Sequence, residues 1–204
     1  MTLNATLKRN EAPPVKEAPK APAFANPAAV GLGAFGATTM LLQFFNLGLI
    51  GTGVVMWMAF FFGGAAQIVA GLQESRTGNN FGYAAFTTYG AFWLALGGIF
   101  LSLQLGLFHI TDKDIGYFLI VFTLLTLIYL FGAMKQNSAV SVVFLTLLIG
   151  YILLDVGFLG GGSAWIKVAG GELLVCSLSA WYLMAHVALS PLGLNIPAGK
   201  PWLK

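Results

Sequence analysis

The sequence predicts an all-α integral membrane protein with six transmembrane helices in one bundle, and three observations carry that prediction. Of 204 residues, 58% are hydrophobic and only 8% charged, with a mean hydropathy of +0.84, whereas charged residues make up about a quarter of a soluble domain. A spanning helix needs about 20 mainly apolar residues, so the roughly 165 residues after a polar N-terminal tail hold six such helices joined by short turns. With six helices assigned, Lys8, Arg9, Lys16, Lys20, Arg76, Lys135, Lys200 and Lys204 fall on one side and only Lys113 and Lys167 on the other. The positive-inside rule then places both termini in the cytoplasm of a multi-pass protein in the cell (plasma) membrane.

Residues 1–25 carry Pro13, Pro14, Pro19 and Pro22 among Lys, Glu and Ala, too polar and too broken to pack a core, and read as a disordered cytoplasmic tail. They lack the apolar central run of a signal peptide. A six-helix transmembrane domain is expected over residues 26–190, followed by a short cytoplasmic tail over 191–204 in which Trp202, Lys200 and Lys204 suit an interfacial anchor. The net charge of +3 is scattered, with no aromatic-interleaved basic patch, so no nucleic-acid partner is expected. A lone Cys176 permits no intrachain disulfide and offers no metal cluster. No cofactor is implied.

Helix 1 runs from about Pro27 to Leu47. Asn26 suits an N-cap, and Pro27 fits the first helical position, where no N–H is needed. Leu32, Phe35, Thr39, Gln43 and Asn46 follow at steps of three or four, a stripe of modest, uncharged polarity along one face. Such a stripe either lines a permeation path or hydrogen-bonds between helices. Gly31, Gly33 and Gly36 satisfy G-x-G-x-x-G, but the strand-to-helix context of a dinucleotide site is absent, and they read as packing notches.

Helix 2, about Thr52 to Gln73, carries Gly63-Gly64, a flat surface for close backbone approach, with Gln67 its strongly polar mid-helix residue. Glu74 to Asn80 reads as a cytoplasmic turn in which Glu74 and Arg76 pair near the headgroups. Helix 3, about Phe81 to Phe108, places Tyr89, Trp93, Gly97 and Gln104 near one face. The pairs Thr38-Thr39 and Thr87-Thr88 each follow an Ala-Phe, a weak echo between helices 1 and 3.

His109 to Asp114 forms the external turn. Its His-x-x-x-x-Asp spacing suits an Asp-oriented base in a membrane acyltransferase, but a turn this short offers no substrate lobe, so charged turn residues remain the simpler reading and no enzyme is expected. Helix 4, about Ile115 to Met134, is expected to face lipid, with Thr123 and Thr126 bonding their own backbone carbonyls. Helix 5, about Ser138 to Phe158, aligns Leu147, Tyr151 and Asp155, and helix 6, about Trp165 to Leu189, aligns Glu172, Cys176, Ser179, Leu183 and His186. Asp155, Glu172 and His186 are titratable within or beside the membrane. They serve either as proton carriers or as interfacial groups.

Asn26 to Leu32 (NPAAVGL) resembles the NPAPLGL signature of the acetate uptake transporter family, the succinate–acetate permeases, departing from it at Ala29 and Val30. Phe61 to Glu74, Gly78 to Gly82 and Ala85 to Trp93 resemble further stretches of the same family, in the right order. The resemblance implies proton-linked uptake of acetate, and in some members succinate, through six-helix protomers, each with its own central pore, that assemble as a homo-hexamer. It also implies that Phe35, Tyr89 and Leu147 form a hydrophobic constriction. Thr39, Gln67 and Thr88 match nearby polar positions, and Asn26, Thr38, Gln43, Asn46 and Thr87 complete the expected polar lining.

The expected function is therefore transport of acetate or a similar short-chain carboxylate through a hydrophobically gated pore. Moving one charge against 100 mV costs about 2.3 kcal/mol, which favours a proton travelling with the anion. A passive acetate or anion channel is the alternative, and a membrane acyltransferase the more distant one.

Overall fold

The structure, a computed structural model, describes residues 25–204, so the tail expected over residues 1–25 lies outside the described residues except for Ala25. Six helices are long and apolar enough to cross a membrane: α1 Ala28–Asn46, α2 Thr52–Thr77, α3 Asn80–Leu105, α4 Asp112–Met134, α5 Ser138–Gly161 and α6 Ser163–Leu192. No strand occurs among the described residues.

Local chemistry sets most of the helix ends. Asn26 Oδ1 accepts from Ala28 N at 3.0 Å, but Pro27, expected at the first helical position, is itself the N-cap, so Asn26 stands one residue ahead of the cap and reaches over it to the first helical amide. Asn79 caps α3 by accepting from Gly82 N, and Asn137 caps α5 by accepting from Val140 N. Thr111 and Asp114 form a reciprocal capping box at the start of α4. Gly106 has φ +61°, a left-handed conformation that ends α3 at Leu105, three residues before the expected stop.

The largest boundary difference lies at the end of α2, which continues to Thr77 instead of closing near Gln73. The extra turn brings Glu74 inside the bundle, where Asn79 Nδ2 donates to its Oε2 at 2.8 Å. The expected Glu74–Arg76 headgroup pair is thereby replaced by a buried carboxyl held by an amide, while Arg76 stays exposed. Two π-helical turns, Ala59–Ala66 in α2 and Gly157–Gly161 in α5, widen the helical coil locally.

The helices form a ring in chain order. α1 packs on α2, α2 on α3, α4 on α5 and α5 on α6, and α6 closes back onto α1. The α1–α6 seam is where the glycine-rich run of α1 fits. A Cβ on Gly36 would stand 2.5 Å from Trp181 Cδ1 and 3.0 Å from the Ser177 carbonyl, and Trp181 Nε1 donates to Gly33 O at 3.3 Å. The glycines are packing notches, as their context predicts.

The α3–α4 seam has the thinnest backbone contact in the ring, and large side chains span it. Phe92 stacks on Phe118 at 5.4 Å and meets Phe122 edge-on at 4.8 Å. Tyr89 OH lies 2.8 Å from Thr126 Oγ1, and Thr88 Oγ1 lies 2.9 Å from Tyr129 OH. α4 does turn Tyr117, Val121, Leu124, Ile128 and Phe131 outward, as a lipid-facing helix should. Thr123 and Thr126 bond the Leu119 and Phe122 carbonyls of their own helix, as expected, and also serve neighbouring helices. Thr123 donates to Asp155 Oδ2 at 2.7 Å, in addition to its contact with Leu119 O.

After α6 the chain straps back across the α4–α5 turn. Trp202 N and Leu203 N donate to Met134 O, Ala139 N donates to Ala198 O, and Tyr182 OH donates to Pro197 O. Residues 193–204 are thus held against the bundle by backbone pairing.

Candidate functional site

Two cavities lie inside the ring. The first, about 480 Å³, is rimmed by Asn26, Thr77, Asn79, Gln136, Asn137 and His186, which gathers the start of α1, the α2–α3 and α4–α5 turns and the end of α6 at one mouth. The second, about 60 Å³, is lined by Thr39, Gln43, Asn46, Trp93 and Tyr151 among apolar neighbours.

Phe35 of α1 and Leu147 of α5 line both cavities, so their side chains form the partition between them. Tyr89 of α3 faces the first cavity with its ring centroid 6.0 Å from that of Phe35, at an interplanar angle of 60°. All three are buried. The structure therefore brings together three residues that lie far apart in sequence, each on a different helix. Dry apolar side chains flanked by polar ones oppose the passage of hydrated ions while leaving room for a solute able to exchange its hydration shell for side-chain contacts.

The α1 stripe crosses this partition. Asn26 and Leu32 line the first cavity, and Thr39, Gln43 and Asn46 the second. Gln43 Nε2 donates to Thr39 O at 3.1 Å, and Asn46 Nδ2 donates to Gln43 Oε1 at 2.9 Å, so the amides form a ladder along the helix. Gln67 of α2 faces the first cavity, with Oε1 buried and unpartnered. Thr39 Oγ1 and Trp93 Nε1, on the second-cavity side, are likewise buried without partners. Buried polar atoms of this kind carry a desolvation cost that a hydrogen-bonding solute or water relieves.

Other expected lining residues stand away from both cavities. Thr38 is fully buried against Gly63, where a Cβ would lie 2.8 Å from its Oγ1. Thr87 Oγ1 donates to Tyr83 O at 2.6 Å, and Thr88 is paired with Tyr129 across the α3–α4 seam. Thr87 thus satisfies its hydroxyl on its own helix and Thr88 across the seam, while Thr38 Oγ1 is buried without a partner.

Of the titratable groups singled out by spacing, His186 reaches the first cavity, with Nδ1 2.5 Å from the Ile196 carbonyl of the strap. Asp155 and Glu172 line neither cavity. Asp155 Oδ2 is bonded to Thr123, and Glu172 Oε2 is buried beside Gly150 without a partner. Asp114 Oδ2 accepts from Thr111 N at 2.8 Å and from Thr111 Oγ1 at 2.6 Å, so this carboxylate serves the helix cap instead of orienting His109. Among the described residues there is no group of three or more His, Cys, Asp or Glu side chains able to hold a metal ion.

The residue missed in the sequence is Glu74, which lines the first cavity. Its position was legible in principle, because Gln67, Gly71 and Glu74 continue one stripe at steps of four and three. The polar run from Glu74 to Asn80 masked it as a turn.

A ring of six membrane-spanning helices enclosing two cavities, divided by an apolar partition, defines a multi-pass membrane protein. The chain matches the GPR1/FUN34/yaaH family over residues 9–192 and belongs to that family, which confirms the resemblance carried by its signature stretches. It is 42% identical over 161 residues to the succinate-acetate/proton symporter SatP of Escherichia coli (strain K12), covering 78% of this chain and 86% of that protein. It is 33% identical over 181 residues to acetate permease A of Emericella nidulans, covering 78% of this chain and 60% of that protein. The fold matches the solved structure of the bacterial acetate channel SatP with a TM-score of 0.83 and 39% identity, covering 87% of this chain and all of the other.

Proposed function

We propose that this protein carries acetate or a similarly short carboxylate across the cell membrane, through the path between its helices, and that it is a transporter or channel and not an enzyme. The observation that carries this reading is the partition: Phe35 and Leu147 border both cavities, with Tyr89 against Phe35 and uncharged donors and acceptors on either side. Gln67 on one face and Thr39, Gln43, Asn46 and Trp93 on the other are suited to replacing a small solute's hydration shell step by step. The names of the relatives, a proton symporter, a permease and a channel, agree on acetate and differ on coupling.

Proton-linked uptake is the favoured mode, because proton and anion together cross without opposing the membrane potential. Passive anion flow is the alternative. Residues 26–190 form the transport unit, with the tail over 191–204 strapped across the α4–α5 turn. Arg76, Lys135, Lys200 and Lys204 lie toward the first-cavity end and Lys113 and Lys167 toward the other, which supports a cytoplasmic first cavity and cytoplasmic termini. The exposed apolar faces, including Phe61, Tyr117, Ile128 and Phe131, are available to lipid and to neighbouring copies in a homo-hexamer.

The test is labelled acetate uptake into proteoliposomes of the purified protein. Uptake above that of empty vesicles is expected, with altered rate or selectivity in Phe35→Ala and Leu147→Ala. No excess over empty vesicles rejects the transport reading, and parent-like behaviour in both variants rejects the partition as the gate.

A further inference from the structure

Asp155 and Glu172 line neither cavity, yet the first cavity does contain a carboxyl group. Glu74 is 2% exposed, sits near the end of α2 and forms part of the cavity wall. Its Oε2 accepts from Asn79 Nδ2 at 2.8 Å, and its Oε1 is buried with no hydrogen-bond partner. The surroundings hold it in place. Asn79 uses its other amide atom, Oδ1, to accept from Gly82 N at 3.1 Å, and the Glu74 chain lies over Gly82, where a Cβ would stand 2.9 Å from Cδ and 3.1 Å from Cγ. Among the described residues, Glu74 is the one carboxyl group lining either cavity.

An ionised carboxyl group offers only acceptors. A carboxylate solute also offers only acceptors, so the two repel each other until one proton stands between them. That proton converts the pair into a charge-assisted O–H···O bond, the arrangement in which paired carboxyls share a single proton. We propose that Glu74 is a specificity-determining residue that links solute to proton: its unpartnered Oε1 accepts a monocarboxylate only together with one proton. This inference rests on the short-carboxylate reading above.

The step balances. In the uptake direction the solute anion takes one proton from external water and passes the partition as the acid, forms a carboxylate–acid pair with the Glu74 carboxylate, and leaves toward the cytoplasm as anion and proton, which returns Glu74 to its carboxylate form. The reverse order of the same steps describes efflux. Each solute therefore crosses with one proton and no net charge.

The other titratable side chains lining this cavity are Tyr89 on α3 and His186 on α6. Arg76 on the same helix, Tyr83 on α3 and Lys135 at the α4–α5 turn are exposed, and α1 contributes no titratable side chain.

The decisive measurement is the net charge moved per labelled acetate in proteoliposomes of the full-length protein, with empty vesicles subtracted, since this ratio does not depend on how fast a variant works. The wild type moves close to zero charge per acetate, whereas Glu74→Gln, which keeps the shape but cannot share the proton, moves about one elementary charge per acetate. Glu74→Asp keeps the wild-type ratio. Equal charge per acetate in the wild type and Glu74→Gln overturns the assignment. Should Glu74→Gln be inactive or unfolded, the wild type alone decides. Acetate added to the purified protein in weakly buffered solution near neutral pH is bound with proton uptake in proportion, and binding without proton uptake overturns the proposal. A wild type with no acetate flux removes the carboxylate reading along with it, while flux with an unchanged charge ratio removes Glu74 alone.

Discussion

Tyr89 donates its hydroxyl proton to Thr126 Oγ1 across the α3–α4 seam, at 2.8 Å, and a second bond fixes that direction. Thr126 has a single hydroxyl proton and gives it to the Phe122 carbonyl at 2.6 Å, so toward Tyr89 it can only accept. Tyr89, which packs against Phe35 of the partition, is therefore anchored to α4, the helix whose outer face is turned to lipid. Its ring position depends on a threonine 37 residues further along the chain.

This direction predicts an asymmetry between two conservative changes. Tyr89→Phe removes a donor while leaving Thr126 bonded to its own helix, at a cost of about 0.5–1.5 kcal/mol. Thr126→Val leaves the Tyr89 hydroxyl buried without an acceptor, at a cost of about 1–3 kcal/mol. Thermal unfolding in detergent should rank Thr126→Val below Tyr89→Phe, and the double variant should recover part of the Thr126→Val loss. The reverse ranking would show that the bond runs the other way.

Shortening the partition should widen what passes. Leu147→Ala and Phe35→Ala each remove side-chain volume where the two cavities approach, so uptake of propionate and butyrate should rise relative to acetate. Because both side chains are buried, each change also destabilises the bundle, by about 2–5 kcal/mol for a leucine or phenylalanine cut to alanine. Competition by a size series of unlabelled acids against labelled acetate checks the selectivity, and an unchanged size preference in both variants refutes it.

Two glycines on α3 should respond oppositely to alanine. A Cβ on Gly90 would meet Ile68 Cγ1 at 2.5 Å and the backbone atoms Ile68 N and Gly64 O at 3.0 and 3.1 Å, whereas a Cβ on Gly98 meets nothing within 4 Å. Gly90→Ala should cost about 1–3 kcal/mol by forcing α2 and α3 apart. Gly98→Ala should be neutral or stabilising by up to about 1 kcal/mol, through helix propensity alone. Melting temperatures of the two variants in the same detergent make the comparison.

The pH response of transport should survive changes at the two carboxyls that stand off the path. Asp155→Asn and Glu172→Gln are expected to keep the parent's dependence of acetate uptake on external pH, because neither side chain lines a cavity. Initial uptake rates across a pH series provide the check. A displaced midpoint in either variant would return the proton-carrying role to that residue.

Much of this protein was legible in its sequence because the relevant physics is local. Six spans follow from runs of apolar residues, and Asn26 marks the start of the first through a side-chain oxygen that reaches a backbone amide two residues away. The stripe from Leu32 to Asn46 follows from helical spacing alone. Glu74 was misread for a related reason. A polar run between two apolar ones resembles a loop in any local sum, and only the Asn79 amide folded over the carboxyl shows that the helix continues and draws the group inside.

The amino-acid sequence by itself determined the membrane, the number and order of the helices and the polar faces that they carry. The tertiary structure decided which faces meet. Trp181 reaches Gly33 across 148 residues to close the ring, Phe35 and Leu147 come together as a partition, and Thr87 and Thr88 turn away from the cavities toward neighbouring helices. Hydropathy and capping add up residue by residue, whereas the rotation of one packed helix against another is set by close-packed contacts between segments distant in the chain, and no single segment contains that information.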